Sequence, residues 1–277
     1  MKGTLEKRRL LTAAAISVGL LGTTPAEPAD LEPRTIAAFD RYVQVAETEA
    51  AARAQFLRLD ALPETQRRTR QDELRAGMLH IERLTTLDGG REIAIPDGLV
   101  HHWVGTVFAP GASVEQALTI LQDYDNHAEI YRPAVVQSRL LSRSGDRFRM
   151  FLRFSMTKVI TVVVNTEHDA QFYRDGPGRA RSRIYSTRIA QVENAGTPNE
   201  RELPVGRDGG YLWRLNTYWR LLQRDGGVYV QCESISLTRG IPFGFAWMIR
   251  PFVTSIPRES LEFTLNTTRT TLDKTPR

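Results

Sequence analysis

The chain has 277 residues, 41% of them hydrophobic and 25% charged, an ordinary balance for a folded globular protein that excludes extended disorder and leaves room for one large domain or two small ones. The formal net charge of +5 invites a polyanionic partner, yet Lys2, Lys7, Arg8 and Arg9 against Glu6 supply three of those charges. A chain cut after Ala26 keeps the other two, so nucleic acid is not an expected partner.

In chain order, basic Lys7-Arg8-Arg9, apolar Leu10 to Leu21 and the small residues about Thr24-Pro25-Ala26 form the three parts of an export signal over residues 1–26. The apolar run is shorter than the roughly 20 residues a membrane span needs, so a cleaved signal and a periplasmic or secreted product are expected. Residues 27–35 read as a linker and residues 36–90 as a helical hairpin. Its first helix, Ile36 to Leu59, carries Phe39, Tyr42, Val43 and Ala46 on one face. Its second, Glu64 to Leu87, has Leu74, Met78 and Ile81 as an apolar edge, while Arg67, Arg68, Arg70 and Arg75, interspersed with Asp72 and Glu73, read as a solvated face.

Strand patterns dominate after Asp88-Gly89-Gly90, first at Arg91 to Ile95 and Leu99 to Phe108. Ser113 caps a helix from Val114 to Ile130. Ser138 to Ser144 and Arg147 to Ser155 predict a hairpin about Ser144-Gly145-Asp146, with Phe148, Met150, Leu152, Phe154 and Met156 alternating with polar residues as in a half-buried antiparallel strand. Further strands are expected at Val159 to Thr166 and Ala180 to Val192. The long polar stretch Glu193 to Gly210 is a candidate lid. A last hairpin, Tyr211 to Leu222 with Gly227 to Thr238, places Trp213, Leu215, Thr217 and Trp219 on one inner face. The apolar stretch Gly240 to Leu272 then reads as a helix laid across the sheet, with Phe245, Met248, Ile249, Phe252, Val253 and Ile256 on one face. Pro251 and Pro257 predict a kink there or a start near Pro257.

Chemistry-bearing residues are sparse. His101 and His102 are adjacent on a strand and point to opposite faces, so they share no metal. The five histidines and the single Cys232 show no ligand spacing, and neither metal nor cofactor is expected. Cys232 reads as a buried, inert thiol, and with no second cysteine no intrachain disulfide can form. Glu233, His102, Asn165 and Asn216 are strand residues suited to acid/base work if turned inward, although an outer-face ion pair is the plainer account of Glu233. Trp103, Trp213, Trp219 and Trp247 with Phe252 are candidates for an aromatic cavity wall.

Specific runs carry a likeness to a known family: Phe108-Ala109-Pro110-Gly111-Ala112-Ser113, Leu121-Gln122-Asp123-Tyr124-Asp125-Asn126, and Trp219-Arg220-Leu221 leading through Gly226-Gly227-Val228-Tyr229-Val230 to Ile241-Pro242 and Pro257-Arg258-Glu259-Ser260-Leu261. Residues 97–272 resemble the START-like, or SRPBCC, helix-grip superfamily, which is Bet v 1-like. The resemblance implies an α+β fold in which a curved antiparallel sheet wraps a long C-terminal helix, here over residues 91–277 behind the helical hairpin. That superfamily contains lipid and sterol carriers, aromatic polyketide cyclases, hydroxylase subunits and plain binding proteins, so fold does not fix function. The expectation is an exported binding or transfer protein for a hydrophobic, lipid-like small molecule, with transient membrane-surface contact left open. Its candidate ligand-binding residues are Trp103, Phe154, Trp213, Leu215, Trp219, Glu233, Trp247 and Phe252, and no catalytic residue is assigned. A cyclase- or hydrolase-like enzyme using the same cavity is the alternative, marked by a paired inward carboxylate or imidazole. A protein-interaction module acting through the helical hairpin is a third reading.

Overall fold

Apolar residues recurring at every second position from residue 80 onward become the strands of one large antiparallel sheet. The computed structural model describes residues 29–158, 160–240 and 246–275, the stretch 246–254 by its backbone alone. The expected export signal lies outside the described residues. The elements are β1 (Ala29–Asp30), α1 (Pro33–Ala52), a 3-10 turn (Arg58–Ala61), α2 (Glu64–Arg75), β2 (His80–Arg83), β3 (Leu87–Asp88), β4 (Arg91–Glu92), β5 (Gly98–Pro110), α3 (Val114–Gln122), α4 (His127–Ile130), β6 (Val135–Ser144), β7 (Arg147–Thr157), β8 (Thr161–Arg174), β9 (Arg179–Glu193), β10 (Arg201–Glu202), β11 (Arg207–Asp208), β12 (Arg214–Arg224), β13 (Gly227–Arg239) and α5 (Ala246–Lys274). The main sheet runs β2-β5-β13-β12-β9-β8-β7-β6, with β10 added to β9, and its pairs are antiparallel.

Directly paired residues share a face, so the registers sort the sheet into two sides. The inner side carries Val107, Val230, Leu221, Phe172 and Met150, covered by α3 through Leu118 and Leu121 and by α5 through Leu261, Leu265 and Leu272. Gly105 lets α5 approach β5, because a Cβ there would lie 2.5 Å from Leu265 Cδ1. The outer side is covered by the N-terminal segment. Phe39, Tyr42, Val43 and Ala46 of α1 pack on Ile235 and Leu237, and Leu57 and Leu59 pack on Phe108, Leu222 and Tyr229. The face expected for the first helix is thus the one it buries.

Several expected elements are corrected. The first helix ends at Ala52, not Leu59, because Leu57 and Leu59 are drawn into the outer cluster and the backbone turns extended at Arg53. The second ends at Arg75, not Leu87. Gly77 takes φ +88°, a left-handed turn that stops a helix, and Leu79 and Ile81 then sit in and beside an edge strand paired to β5. Residues 36–90 are therefore not a hairpin of two long helices, and the main sheet starts at residue 80, ahead of the expected boundary at 91. The helix from Ser113 does form, with Ser113 and Gln116 in a capping box, but α3 stops at Gln122 and α4 is separate. The last helix begins at Ala246 and runs through Pro251 and Pro257. Its described buried face is Leu261, Leu265, Thr268 and Leu272, while the side chains of Phe245 to Val253 lie outside the described residues.

The stretch 193–210 is fastened to the sheet rather than hinged over a cavity. Glu200 pairs with Arg153 at 2.6 Å, and Glu202 pairs with Arg188 and accepts from Asn165. Its far end pairs with β1, and Asp208 accepts from the Gly210 N–H and the Trp213 indole. Arg153, Asn165 and Arg188 are outer-face residues by register, so this loop is not a lid on the inner side.

Candidate functional site

Rows of facing side chains cross the inner side. One runs Trp103, Ser234, Thr217, Ile184, Ala170 from β5 through β13, β12 and β9 to β8. The next holds His101, Ser236 and Leu215, and continues through Ser186, whose Oγ accepts from the Leu215 N–H at 2.9 Å, to His168 and Met150. Under α3 and the C-terminal half of α5 this side is solid: Val107, Met150, Leu221, Val230 and Leu265 are at most 1% exposed. Elsewhere Trp103, Leu152, Phe154, Ile184, Leu215 and Thr217 are only half-buried although they stand on inner strands of the sheet. An apolar strip left half-open on the inner side is what a ligand hollow requires.

The polar members of these rows are hydroxyls and imidazoles, with no carboxylate or guanidinium among them. His101 Nε2 lies 3.1 Å from Thr238 Oγ1 and His168 Nε2 lies 2.8 Å from Thr166 Oγ1. Burial pushes both imidazoles down to about 4, with the Arg83 charge adding to the effect at His101. Both are neutral at pH 7, and neither row contains a carboxylate to pair with them. His168 Nδ1 and Ser182 Oγ are buried without a hydrogen-bond partner among the described residues.

A buried imidazole–carboxylate pair stands on the other side. His102 and Glu233 face outward, and their network assigns a direction: the Thr86 N–H donates to Tyr42 Oη at 3.0 Å, the Tyr42 O–H to His102 Nδ1 at 3.1 Å, and the His102 Nε2–H to Glu233 Oε1 at 2.9 Å. Among the described residues no cluster of three His, Cys, Asp or Glu side chains comes together to hold a metal ion. Cys232 is buried in the inner core, its thiol pushed well up by burial and then by the Glu233 charge.

Of the expected ligand residues, Trp103, Phe154, Leu215 and Trp219 do point inward, Trp219 at the solid end. Trp213 is corrected. It sits just before β12 begins at Arg214, so the strand alternation does not govern it, and it packs with α1 on the outer side. Glu233 is likewise outward, as are His102, Asn165 and Asn216. Trp247 and Phe252 are on α5, but their side chains lie outside the described residues. Sequence reading missed Ile184, Ser186 and His168. A bulge at Thr187, between the pairs Glu167–Arg188 and His168–Ser186, reverses the alternation within β9, so no single phase describes Ala180 to Val192.

The architecture is START-like: a helix-grip fold in which an antiparallel sheet closes on a long C-terminal helix. Among solved structures the chain is similar to a STAR-related lipid transfer protein from Xanthomonas axonopodis, at 17% identity over 69% of this chain and 99% of that one with a TM-score of 0.44. It is also similar to human STARD10, at 10% identity over 75% and 80% with a TM-score of 0.44, and to the ZhuI aromatase/cyclase from Streptomyces sp. R1128, at 11% over 64% and 95% with a TM-score of 0.43. No protein-family model matches the chain, and no curated protein does. At these similarities the ligands of those proteins carry no weight here, and the assignment of fold rests on strand order and helix placement.

Proposed function

We propose that this chain is an exported binding or transfer protein for a hydrophobic, lipid-like small molecule held between the inner side of the sheet and α5. The observation that carries the reading is the strip of half-buried Trp103, Leu152, Phe154, Ile184 and Leu215 beside a solid core. Covering such a strip with an apolar ligand is favourable by about 25 cal/mol per Å². Carriage is favoured over catalysis because the inward imidazoles are bonded to threonines, whereas the imidazole–carboxylate pair is on the far side. Export is supported by the basic, apolar and small-residue succession of residues 1–26.

Native mass spectrometry of the full-length product from its own cells tests both parts. A chain beginning near Glu27 with a co-purifying apolar molecule is the expected result. An uncut chain would overturn export. Absence of any bound molecule, together with failure to bind a hydrophobic fluorophore, would overturn the binding reading.

A further inference from the structure

The outer side holds a cleft that ligand carriage on the inner side does not use. It is enclosed by the C-terminal half of α1, by Arg53 to Phe56, and by β9, β12 and β13, with a volume of about 370 Å³, in the range of small-molecule sites. Five guanidinium groups line it, those of Arg53, Arg179, Arg181, Arg183 and Arg220, against the two carboxylates of Glu47 and Glu233. Both carboxylates are already engaged: Glu47 accepts from the hydroxyls of Tyr185 and Tyr218, and Glu233 from His102.

The arginines are under-paired. Arg53 Nη1 is buried and has no hydrogen-bond partner among the described residues. Arg179 lies over the Phe56 ring, and among the described residues neither it nor Arg183 makes a side-chain hydrogen bond or ion pair. Period-two alternation puts Arg179, Arg181 and Arg183 on one side, where Arg181 stands directly opposite Arg220, an arrangement that costs stability between like charges. Asp175 offsets Arg181 at 2.8 Å, and Arg220 donates from Nη1 to the Phe56 carbonyl at 3.1 Å. Burial and then the Arg58 charge weaken the hold of Arg53 on its proton. Burial does the same for Arg220, with the charges of Arg53 and Arg181 adding to it against the opposing Glu233. Guanidinium stays charged throughout the physiological range, so an anion, not deprotonation, relieves this crowding.

We propose that the outer cleft binds a phosphate group, that of a small organic phosphate or of a lipid headgroup, through Arg53, Arg183 and Arg220. The planar fork of arginine matches phosphate oxygens two at a time. The cleft and the inner strip lie on opposite sides of the sheet, so failure of either reading leaves the other standing.

The test is calorimetric titration of the full chain with phenyl phosphate at low salt, alongside co-sedimentation with phosphatidylcholine vesicles with and without phosphatidylglycerol. Saturable binding is expected, weakened about tenfold or more by Arg53→Gln and by Arg183→Gln, as loss of a charge-assisted hydrogen bond predicts. Arg67→Gln, which removes the same charge from α2, should bind as the parent does, and thermal melts of all three variants check that they fold. Binding of phenyl phosphate identifies a free organic phosphate as the ligand class. Binding only to phosphatidylglycerol vesicles, with the same variant dependence, identifies a headgroup. The proposal is overturned if neither probe binds, if benzoate binds as tightly as phenyl phosphate, or if folded Arg53→Gln and Arg183→Gln bind unchanged or no worse than Arg67→Gln.

Discussion

His102 Nε2 stands 2.9 Å from Glu233 Oε1 on the outer side of the sheet, both residues buried, and Tyr42 extends the contact to α1. Burial alone would raise the Glu233 carboxyl, but the hydrogen bond from His102 and then the charges of Arg58 and Arg53 outweigh it and hold the group below its ordinary 4.5. A lowered carboxyl stabilises the fold above its unfolded value, and that contribution is lost as pH falls through the folded value. Glu233→Gln should cost about 1–3 kcal/mol at neutral pH, with the gap to the parent narrowing below about pH 4. Urea unfolding at the two pH values measures it, and a constant gap would contradict the assignment.

Three other buried histidines give a separate pH dependence. Burial lowers His101, His127 and His168 from 6.5 to about 4. Above pH 6.5 both folded and unfolded chains are neutral there; as pH falls toward about 4 the unfolded chain takes protons that the folded chain refuses, so stability drops. His168→Phe should flatten that slope by close to one proton, about 1.4 kcal/mol per pH unit. Stability measured at several pH values between about 6 and 4.5 reads the slope independently of any packing change.

Gly105 fixes how closely α5 lies on β5. Gly105→Val would drive a side chain into Leu265 and should destabilise by about 1–3 kcal/mol, as overpacking does. Gly145→Val, at a hairpin turn with open space around its Cβ position but φ +58°, controls for backbone strain and should leave the near-ultraviolet signal of the tryptophans unchanged, whereas Gly105→Val should alter it.

Filling the half-open strip should abolish apolar binding without unfolding the chain. Thr217→Trp places a large ring between Ile184 and Ser234. Loss of fluorophore binding with an unchanged melting temperature is the expected outcome; retained binding would move the ligand elsewhere.

Asp208 anchors the 193–210 stretch. Burial raises its carboxyl despite the Gly210 and Trp213 donors. Asp208→Ala strands a buried indole N–H and should cost about 1–3 kcal/mol. Faster hydrogen exchange at Gly210 and at Leu31, whose N–H bonds the Gly206 carbonyl, would report the loop coming away.

The features legible in the residue pattern are local. The alternation of Phe148 to Met156, the turn at Ser144-Gly145-Asp146, the cap at Ser113 and the opposed faces of His101 and His102 follow from side-chain period and turn chemistry, and the structure repeats each of them. Even the apolar face of α1 was legible, because a helix writes its buried stripe at fixed spacing. The end of α2 was not, since Leu74, Met78 and Ile81 fit a helical edge while Gly77 breaks it. Which side of the sheet α1 would cover, that Trp213 and Glu233 would face outward, and that Arg53, three arginines of β9 and Arg220 would share one cleft were decided by strand register together with the packing of α1 and the segment after it on the outer side. Register joins segments more than a hundred residues apart, and a one-residue shift or a single bulge, as at Thr187, sends every later side chain to the opposite face.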